Sequence, residues 1–102
     1  MTPELHPSIP WLAERLGAFP EVRRVILFGS RARGDNDERA DIDIAVEADA
    51  ERLGVWWELV DEAPTLLAVD LIIMTDVPPA MRETIEREGI LLYERKSDQA
   101  SA

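Results

Sequence analysis

The chain has 102 residues, no cysteine, and 21 acidic against 11 basic side chains, which gives a formal net charge of −10 at pH 7. This length predicts a single domain, residues 1–102, and the missing cysteines exclude a disulfide framework and fit a reducing, cytoplasmic setting. The negative charge argues against direct nucleic-acid binding, and no apolar run approaches the ~20 residues of a membrane span, so we expect no membrane segment.

The first predicted element is a short helix over about residues 9–16, for which Ser8 supplies the N-cap and Gly17 the stop. The residues before it, about 1–6, are expected to be flexible. His6 is the only histidine in the sequence. We expect it on a flexible surface, and because one histidine cannot form a cluster, we expect no histidine-based metal site.

Residues 22–28, which end in the apolar run Val-Ile-Leu-Phe, predict a buried strand that stops at Gly29 and Ser30. A polar loop rich in arginine and aspartate follows. Gly29 and Gly34 are spaced as in a phosphate-binding P-loop, but an Asp-Asn pair stands where that motif requires lysine and serine or threonine. The P-loop is therefore excluded. Two features still suit phosphate binding. Gly29 lets the backbone approach phosphates, and the hydroxyl of Ser30 can donate hydrogen bonds to them.

The next predicted strand, over about residues 41–46, begins with the pattern Asp-Ile-Asp-Ile. Because side chains alternate in direction along a strand, Asp41 and Asp43 point to one face and the isoleucines to the other. Two adjacent carboxylates on a rigid strand are ligands that suit Mg²⁺ carrying substrate phosphates. An anionic substrate also needs nearby positive charge. We expect that charge from five arginines around the loop: Arg23, Arg24, Arg31, Arg33 and Arg39.

A helix is predicted over about residues 50–62, with Asp49 as its N-cap. Leucine, tryptophan and valine side chains make a wide apolar stripe along it. Two of these residues, Trp56 and Trp57, are adjacent. We expect one to pack in the core, and the sequence leaves open whether the other is buried or exposed. An exposed tryptophan would favour an interface with another protein.

An almost continuously apolar segment, residues 66–75, predicts a central strand. Its exception is Asp70, since a carboxylate buried in such a strand is costly unless it is paired, hydrogen-bonded or bound to metal. Two interpretations of Asp70 therefore stay open, a metal ligand or a salt bridge to an arginine. A last helix is predicted to end at Gly89, followed by an edge strand at residues 90–93 and a flexible tail at residues 95–102.

The combination of Gly-Ser, ten residues and Asp-x-Asp resembles the minimal nucleotidyltransferases (MNT proteins) of the DNA polymerase beta superfamily. These proteins commonly occur as antitoxins beside a helical HEPN toxin. The resemblance runs over about residues 22–93. Residues 28–34 match the signature loop, residues 41–44 the metal pair, Asp70 the third carboxylate on a later strand, and residues 88–93 the end of the domain.

The resemblance implies an α/β (α+β) fold, with a small mixed sheet backed by helices. It also implies Mg²⁺-dependent transfer of a nucleoside monophosphate, AMP from ATP, to a tyrosine hydroxyl of a partner HEPN toxin, which neutralises the toxin in a hetero-oligomer. The alternative is a non-catalytic antitoxin that masks its toxin by binding. The family's catalytic and metal residues correspond to Asp41, Asp43 and Asp70, and its nucleotide-binding residues to Gly29, Ser30, Arg31 and Arg33.

One position departs from the family pattern. Ala40 stands where the family usually has a serine directly before the first metal aspartate. The missing hydroxyl removes one group that could support that carboxylate. Its effect on activity is left open by the sequence.

Overall fold

The structure, a computed structural model, describes residues 5–95. Within this range the chain forms four α-helices and four β-strands. The helices are α1 (Ser8–Gly17), α2 (Ser30–Arg33), α3 (Leu53–Asp61) and α4 (Pro79–Glu88). The strands are β1 (Val22–Phe28), β2 (Ile42–Ala48), β3 (Val69–Ile73) and β4 (Ile90–Glu94). A short 3₁₀ turn (Met74–Asp76) follows β3. None of these described helices is long and apolar enough to cross a membrane.

The four strands form one mixed sheet in the order β3-β2-β1-β4. β1 pairs antiparallel with both β2 and β4, whereas β2 and β3 run parallel. A parallel pair needs a long crossover between its strands, and the segment that contains α3 supplies it. The small mixed sheet with its helices confirms the predicted fold class.

The larger core lies between one face of the sheet and helices α1 and α3. Leu12 of α1 and Trp56 of α3 are fully buried there, together with sheet residues such as Leu27 and Ile44. The rings of Phe19 and Trp56 meet edge-on, with their centroids 6.2 Å apart. Burial of each large apolar side chain contributes roughly 1.5–3 kcal/mol, so this face supplies most of the apolar stabilisation.

The two adjacent tryptophans have different environments, and the predicted core packing of one of them is confirmed. Trp56 is completely buried, whereas Trp57 is 39% exposed. Val55, on the same helix, is 45% exposed. Helix α3 therefore packs one tryptophan into the core and presents apolar side chains at the surface.

The opposite face of the sheet has a smaller core. Ile26 and Ala45 pack there with Met74 of the 3₁₀ turn and Ile85 of α4. Because side chains alternate along a strand, Asp43, two residues before Ala45, lies on this same face. Asp43 therefore lies on the face of the sheet against which fewer helical residues pack.

β3 is an edge strand, so the prediction of a central strand over residues 66–75 was wrong. The apolar sequence is divided among a loop, the short strand and the 3₁₀ turn, and Leu66 in the loop is fully exposed. Asp70 is exposed as well, which removes the desolvation cost that singled it out. No ion pair within residues 5–95 engages Asp70, so the salt-bridge interpretation is not supported.

Helix α3 begins at Leu53, and its N-cap is Arg52 rather than the predicted Asp49. The Asp49 carboxylate instead pairs with the guanidinium groups of Arg23 and Arg95, at 3.0 and 3.2 Å. These two ion pairs hold the carboxylate beside the sheet. That position explains why Asp49 does not cap the helix.

The chain directly before α1 is packed. Leu5 lies against the larger core, and Nδ1 of His6 accepts a hydrogen bond of 3.1 Å from the backbone N–H of Ser8. Ser8 is the first residue of α1 rather than its N-cap, and its buried hydroxyl donates to a backbone carbonyl in the loop after α3. His6 therefore helps to begin the helix. The remaining predicted flexible residues, 1–4 and 96–102, lie outside the described residues.

Candidate active site

Gly29 marks the point where β1 ends and α2 begins. Its backbone has φ 77° and ψ −157°, a conformation that residues with a side chain rarely adopt. A Cβ atom at this position would overlap Oδ2 of Asp43. The Gly29 carbonyl accepts hydrogen bonds of 3.1 Å from the N–H groups of Ala32 and Arg33, which fixes the turn. Glycine therefore allows the backbone to lie directly against the Asp43 carboxylate.

The strand pairing places Asp43 of β2 between one residue of β1 and one residue of β3. Its Cα partners are Phe28 in β1 and Asp70 in β3. Neighbouring strands lie about 4.8 Å apart, so Asp43 and Asp70 are on the same face of adjacent strands. Asp41, two residues before Asp43 and just outside β2, falls on that face as well. The structure thus brings the three predicted acidic residues to one end of one face.

Electrostatic interactions connect these carboxylates. Partial burial raises the pKa of Asp43 above its ordinary value, and the neighbouring charges of Asp70 and Asp41 raise it further. The guanidinium of Arg33 acts in the opposite direction. Like charges that repel one another in the folded protein are stabilised when a cation binds between them, so this cluster is a candidate functional site.

The carboxylates do not form a complete metal cage. Within the part of the chain that the structure describes, no three acidic or histidine side chains are arranged to hold a metal ion by themselves. The chain offers instead a partial set of carboxylate oxygens beside a glycine turn. Mg²⁺ suits such a set, because it usually keeps waters and takes further oxygens from substrate phosphates. The donor set therefore fits Mg²⁺ bound together with a nucleotide.

Arg33 is a basic side chain close enough to act on Asp43. Its Nε donates to Oδ2 of Asp35 at 3.1 Å, and its Nη1 lies 3.8 Å from Oε1 of Glu88 at the end of α4. These contacts, with Asp35 first, raise the pKa of the Arg33 guanidinium. Because the side chain is exposed, such ion pairs are weak and can be exchanged for others. Its contact with a nucleotide stays a prediction.

Arg31 has a different environment from Arg33, although both are on α2. Its Nε donates to the carbonyl of Ala40 at 3.0 Å, and its Nη2 donates to the carbonyl of Glu38 at 3.1 Å. The sequence did not reveal this contact, because no local pattern pairs an arginine with carbonyls seven and nine residues away. The nucleotide contact predicted for Arg31 also stays a prediction.

Ser30 is the first residue of α2 and directly follows the turn that lies against Asp43. Its carbonyl accepts hydrogen bonds from the N–H groups of Gly34 and Asp35, at 2.9 and 3.1 Å. Gly34 ends the short helix in a left-handed conformation, with φ 84°. The backbone of the signature loop is thus closed by its own hydrogen bonds. The nucleotide contact of the Ser30 hydroxyl stays a prediction.

Arg23 and Arg24 do not belong to this site, so the prediction of five arginines around the loop was wrong for both. They lie near the start of β1 and pair with carboxylates there, Arg23 with Asp49 and Arg24 with Glu47 and Glu86. Five to six residues of strand, about 17–20 Å, separate them from the turn that begins α2. The prediction relied on closeness in sequence, but the two ends of an extended strand lie far apart in space.

Both a protein family and several solved structures match this chain. The family described as "Polymerase beta, Nucleotidyltransferase" matches residues 12–98. Comparison with functionally curated proteins gave no significant sequence match. A solved toxin–antitoxin complex with AMP-PNP contains a chain with 26% identity and a TM-score of 0.69, and the match covers 89% of this chain and 74% of that one.

Two further solved complexes are similar. The toxin–antitoxin MntA-HepT has 25% identity and a TM-score of 0.60, with 88% of this chain and 70% of that chain covered. A complex of tri-AMPylated HEPN toxin and MNT antitoxin from Shewanella oneidensis has 24% identity and a TM-score of 0.60, with 89% and 71% covered, and shows the shared fold. Because the family match spans most of the sequence and the solved relatives have the same fold, the chain belongs to the polymerase beta nucleotidyltransferase family.

Proposed function

We propose that the chain is a Mg²⁺-dependent nucleotidyltransferase antitoxin. It transfers a nucleoside monophosphate, AMP from ATP, to a tyrosine hydroxyl of a HEPN-type partner toxin and so neutralises that toxin. The observation that carries the proposal is the Asp43 carboxylate, which lies against the Gly29 turn and interacts with Asp41 and Asp70. A relative solved as a toxin–antitoxin complex with AMP-PNP supports it, as does the shared fold with an antitoxin bound to AMPylated HEPN toxin.

The proposed ligands of Mg²⁺ are Asp41, Asp43 and Asp70. When bound, the metal neutralises charge on the triphosphate and makes the α-phosphate more electrophilic. The chain's own contribution is to hold hard oxygen ligands on two rigid strands and directly before one of them, with the paired positions of Asp43 and Asp70 setting the spacing of those two carboxylates. The nucleotide completes the ligand set, which explains why the protein alone offers a partial one.

The proposed phosphate contacts come from the signature loop. Gly29 lets the backbone approach the nucleotide without a side chain in the way. The Ser30 hydroxyl donates to a phosphate oxygen, and Arg33 exchanges its exposed ion pairs with Asp35 and Glu88 for the triphosphate. Arginine suits this exchange because its fork of donors matches phosphate oxygens.

The transfer step balances without any further reactant. A bond forms between the acceptor hydroxyl oxygen and the α-phosphorus, and the bond from that phosphorus to the oxygen bridging to the β-phosphate breaks, so pyrophosphate leaves. The hydroxyl proton goes to a base. Asp70 is the candidate, because its carboxylate is exposed on an edge strand and therefore accessible to an acceptor on another protein.

A partner protein is expected to dock through the surface of this single domain. The exposed apolar side chains of Val55, Trp57 and Leu66 offer contact area. The net charge of −10 favours a basic partner surface and speeds its association. The proposed assembly is a hetero-oligomer with the toxin.

The test uses the partner toxin, ATP and Mg²⁺, with intact-protein mass spectrometry as the readout. The parent should add one or more nucleotide units to the toxin, and Asp43→Asn should reduce this transfer by at least about 10³-fold, since it removes a charged ligand at the centre of the site. Asp61→Asn is the matched control, because it removes the same charge from an exposed position at the end of α3. An unmodified toxin with the parent would overturn the proposal.

The masking alternative also has an observation in its favour, since residues 5–95 contain no complete metal cage and do expose apolar side chains. Protection of cells that express the toxin separates the two functions. If transfer is the function, Ser30→Ala and Asp43→Asn lose protection together with the adduct. If both variants protect as well as the parent does, masking is the function.

A further inference from the structure

The loop between α2 and β2 has few anchors, and Arg31 provides two of them. Within the loop, the N–H of Ala40 donates to the carbonyl of Asp37 at 3.2 Å, and the N–H of Arg39 donates to the Asp37 carboxylate at 2.9 Å. These bonds close a local turn but do not attach it to the rest of the protein. The guanidinium of Arg31, through the carbonyls of Glu38 and Ala40, attaches that turn to α2.

The residue that follows this turn is Asp41. On its N-terminal side, the carbonyl of Ala40 is held by Arg31 at 3.0 Å. On its C-terminal side, the N–H of Ile42 donates to the carbonyl of Ala68 at 2.9 Å, just before β3. The backbone of Asp41 is therefore fixed on both sides, and one of the two anchors is a single side chain.

The geometry of the contact requires a guanidinium. Arg31 donates through two nitrogens to two carbonyls that belong to different residues. A lysine carries the same charge, but its single ammonium on a flexible stem cannot reproduce a planar, two-nitrogen fork. Arg33 provides the internal comparison, because it lies on the same short helix but its partners are exposed carboxylates.

We propose that Arg31 is a positioning residue, which fixes the loop leading into Asp41 and thereby places that carboxylate for the metal, and that contact with the phosphates falls to Arg33. The catalytic part rests on the proposed function. The structural part, attachment of residues 37–41 by Arg31, is independent of it and can be measured in the absence of any substrate.

Hydrogen–deuterium exchange of the isolated protein tests the structural part. Arg31→Lys should raise exchange of the amides of Arg39 and Ala40, which donate hydrogen bonds to Asp37 within the turn, by about tenfold or more, because the two hydrogen bonds that attach the turn to α2 are lost. Arg33→Lys is the matched control and should leave these amides unchanged. Exchange in β1 should stay the same in both variants, which shows that the fold is intact. Unchanged exchange of these two amides in Arg31→Lys would overturn the inference.

Transfer kinetics with Mg²⁺ titration test the catalytic part. If Arg31 positions Asp41, Arg31→Lys and Arg31→Ala should lower kcat by a similar factor and raise the Mg²⁺ concentration needed for half-maximal rate, while KM for ATP at saturating Mg²⁺ changes less than threefold. A direct phosphate contact predicts the opposite pattern, with Arg31→Lys near the parent and a raised KM in Arg31→Ala, and this pattern contradicts the inference. Faster loop exchange combined with an inactive parent would support the attachment by Arg31 and overturn the proposed function.

Discussion

The two ends of β1 use charge in opposite ways. Near its start, Arg24 donates to the carboxylates of Glu47 and Glu86, so each charge has a partner of opposite sign within the fold. At its other end, Asp43 lies against the Gly29 turn and faces the like charges of neighbouring carboxylates. A paired charge is already stabilised by the folded protein, whereas clustered like charges repel one another and are stabilised further when a cation binds. We therefore expect the paired end to contribute to stability and the clustered end to serve the proposed function.

The same contrast is visible in the protonation equilibria. Hydrogen bonds from Arg24 lower the pKa of Glu86 below its ordinary value. Partial burial and like charges raise the pKa of Asp43 above its ordinary value. Because the two shifts have opposite signs, the two ends of the strand should respond to substitution and to pH in opposite directions.

The largest expected effect is at the turn itself. Gly29→Ala adds a Cβ atom that overlaps the Asp43 carboxylate and imposes a backbone conformation unfavourable for alanine. We expect a loss of roughly 2–4 kcal/mol in the free energy of unfolding, together with loss of transfer. Urea unfolding followed by circular dichroism measures the first quantity.

Gly34→Ala is the control for backbone strain. Gly34 also has a positive φ, 84°, but a Cβ atom there meets no atom within 4 Å. We expect a cost of only about 1 kcal/mol. If the two variants lose the same free energy of unfolding, the close approach of Gly29 to Asp43 does not add to the cost of a side chain. That result would contradict the packing described for the site.

Most of the fold could be predicted from local sequence patterns. β1 was placed at its observed bounds, Val22–Phe28, because an apolar run ends abruptly at a glycine. The edge position of β3 could not be predicted, since an apolar run does not show whether a second strand lies beyond it. For the same reason the exposure of Asp70 was not foreseen.

The candidate site was predictable in its residue types but not in its contacts. Strand parity placed Asp41 and Asp43 on one face, and the register of two strands then set Asp70 beside Asp43. The different environments of Arg31 and Arg33 depend on where a loop and the end of α4 lie in space. Such long-range contacts leave no local pattern in the sequence.

A smaller effect, of the opposite sign, is expected at the carboxylate. Asp43→Asn removes a repelling charge, so the free energy of unfolding at pH 7 should rise, by up to about 1 kcal/mol after allowance for solvent screening. The unfolded chain loses this proton near the ordinary pKa of 3.8, and the folded protein loses it at higher pH because its pKa is raised. The stability of the parent therefore falls as pH rises through the folded pKa, and the advantage of the variant grows over that window and persists at neutral pH.

Thermal unfolding between pH 3 and pH 8 measures this difference between Asp43→Asn and the parent. Asp61→Asn corrects for the loss of one negative charge from the acidic protein, because it lies exposed at the end of α3. A large drop in the melting temperature of Asp43→Asn at pH 7 would mean that the carboxylate stabilises the fold. That result would reverse the comparison between the two ends of β1.

The smallest effect is expected at the paired end. Glu86→Gln weakens the contact with Arg24, whose Nη1 and Nη2 donate to Glu86 at 3.0 and 2.6 Å, and leaves Glu47 in place. Because Glu86 is exposed, the loss should be only about 0.5 kcal/mol and should shrink in high salt. The pKa of Glu86 is lowered in the folded state, so the contribution of the pair is fully present above the ordinary pKa of 4.5 and is lost as pH falls through the lowered value. Urea unfolding at pH 7 and pH 3 should therefore show a difference between parent and variant at pH 7 that decreases at pH 3. A difference that grows as pH falls would show that the carboxylate is not stabilised by Arg24.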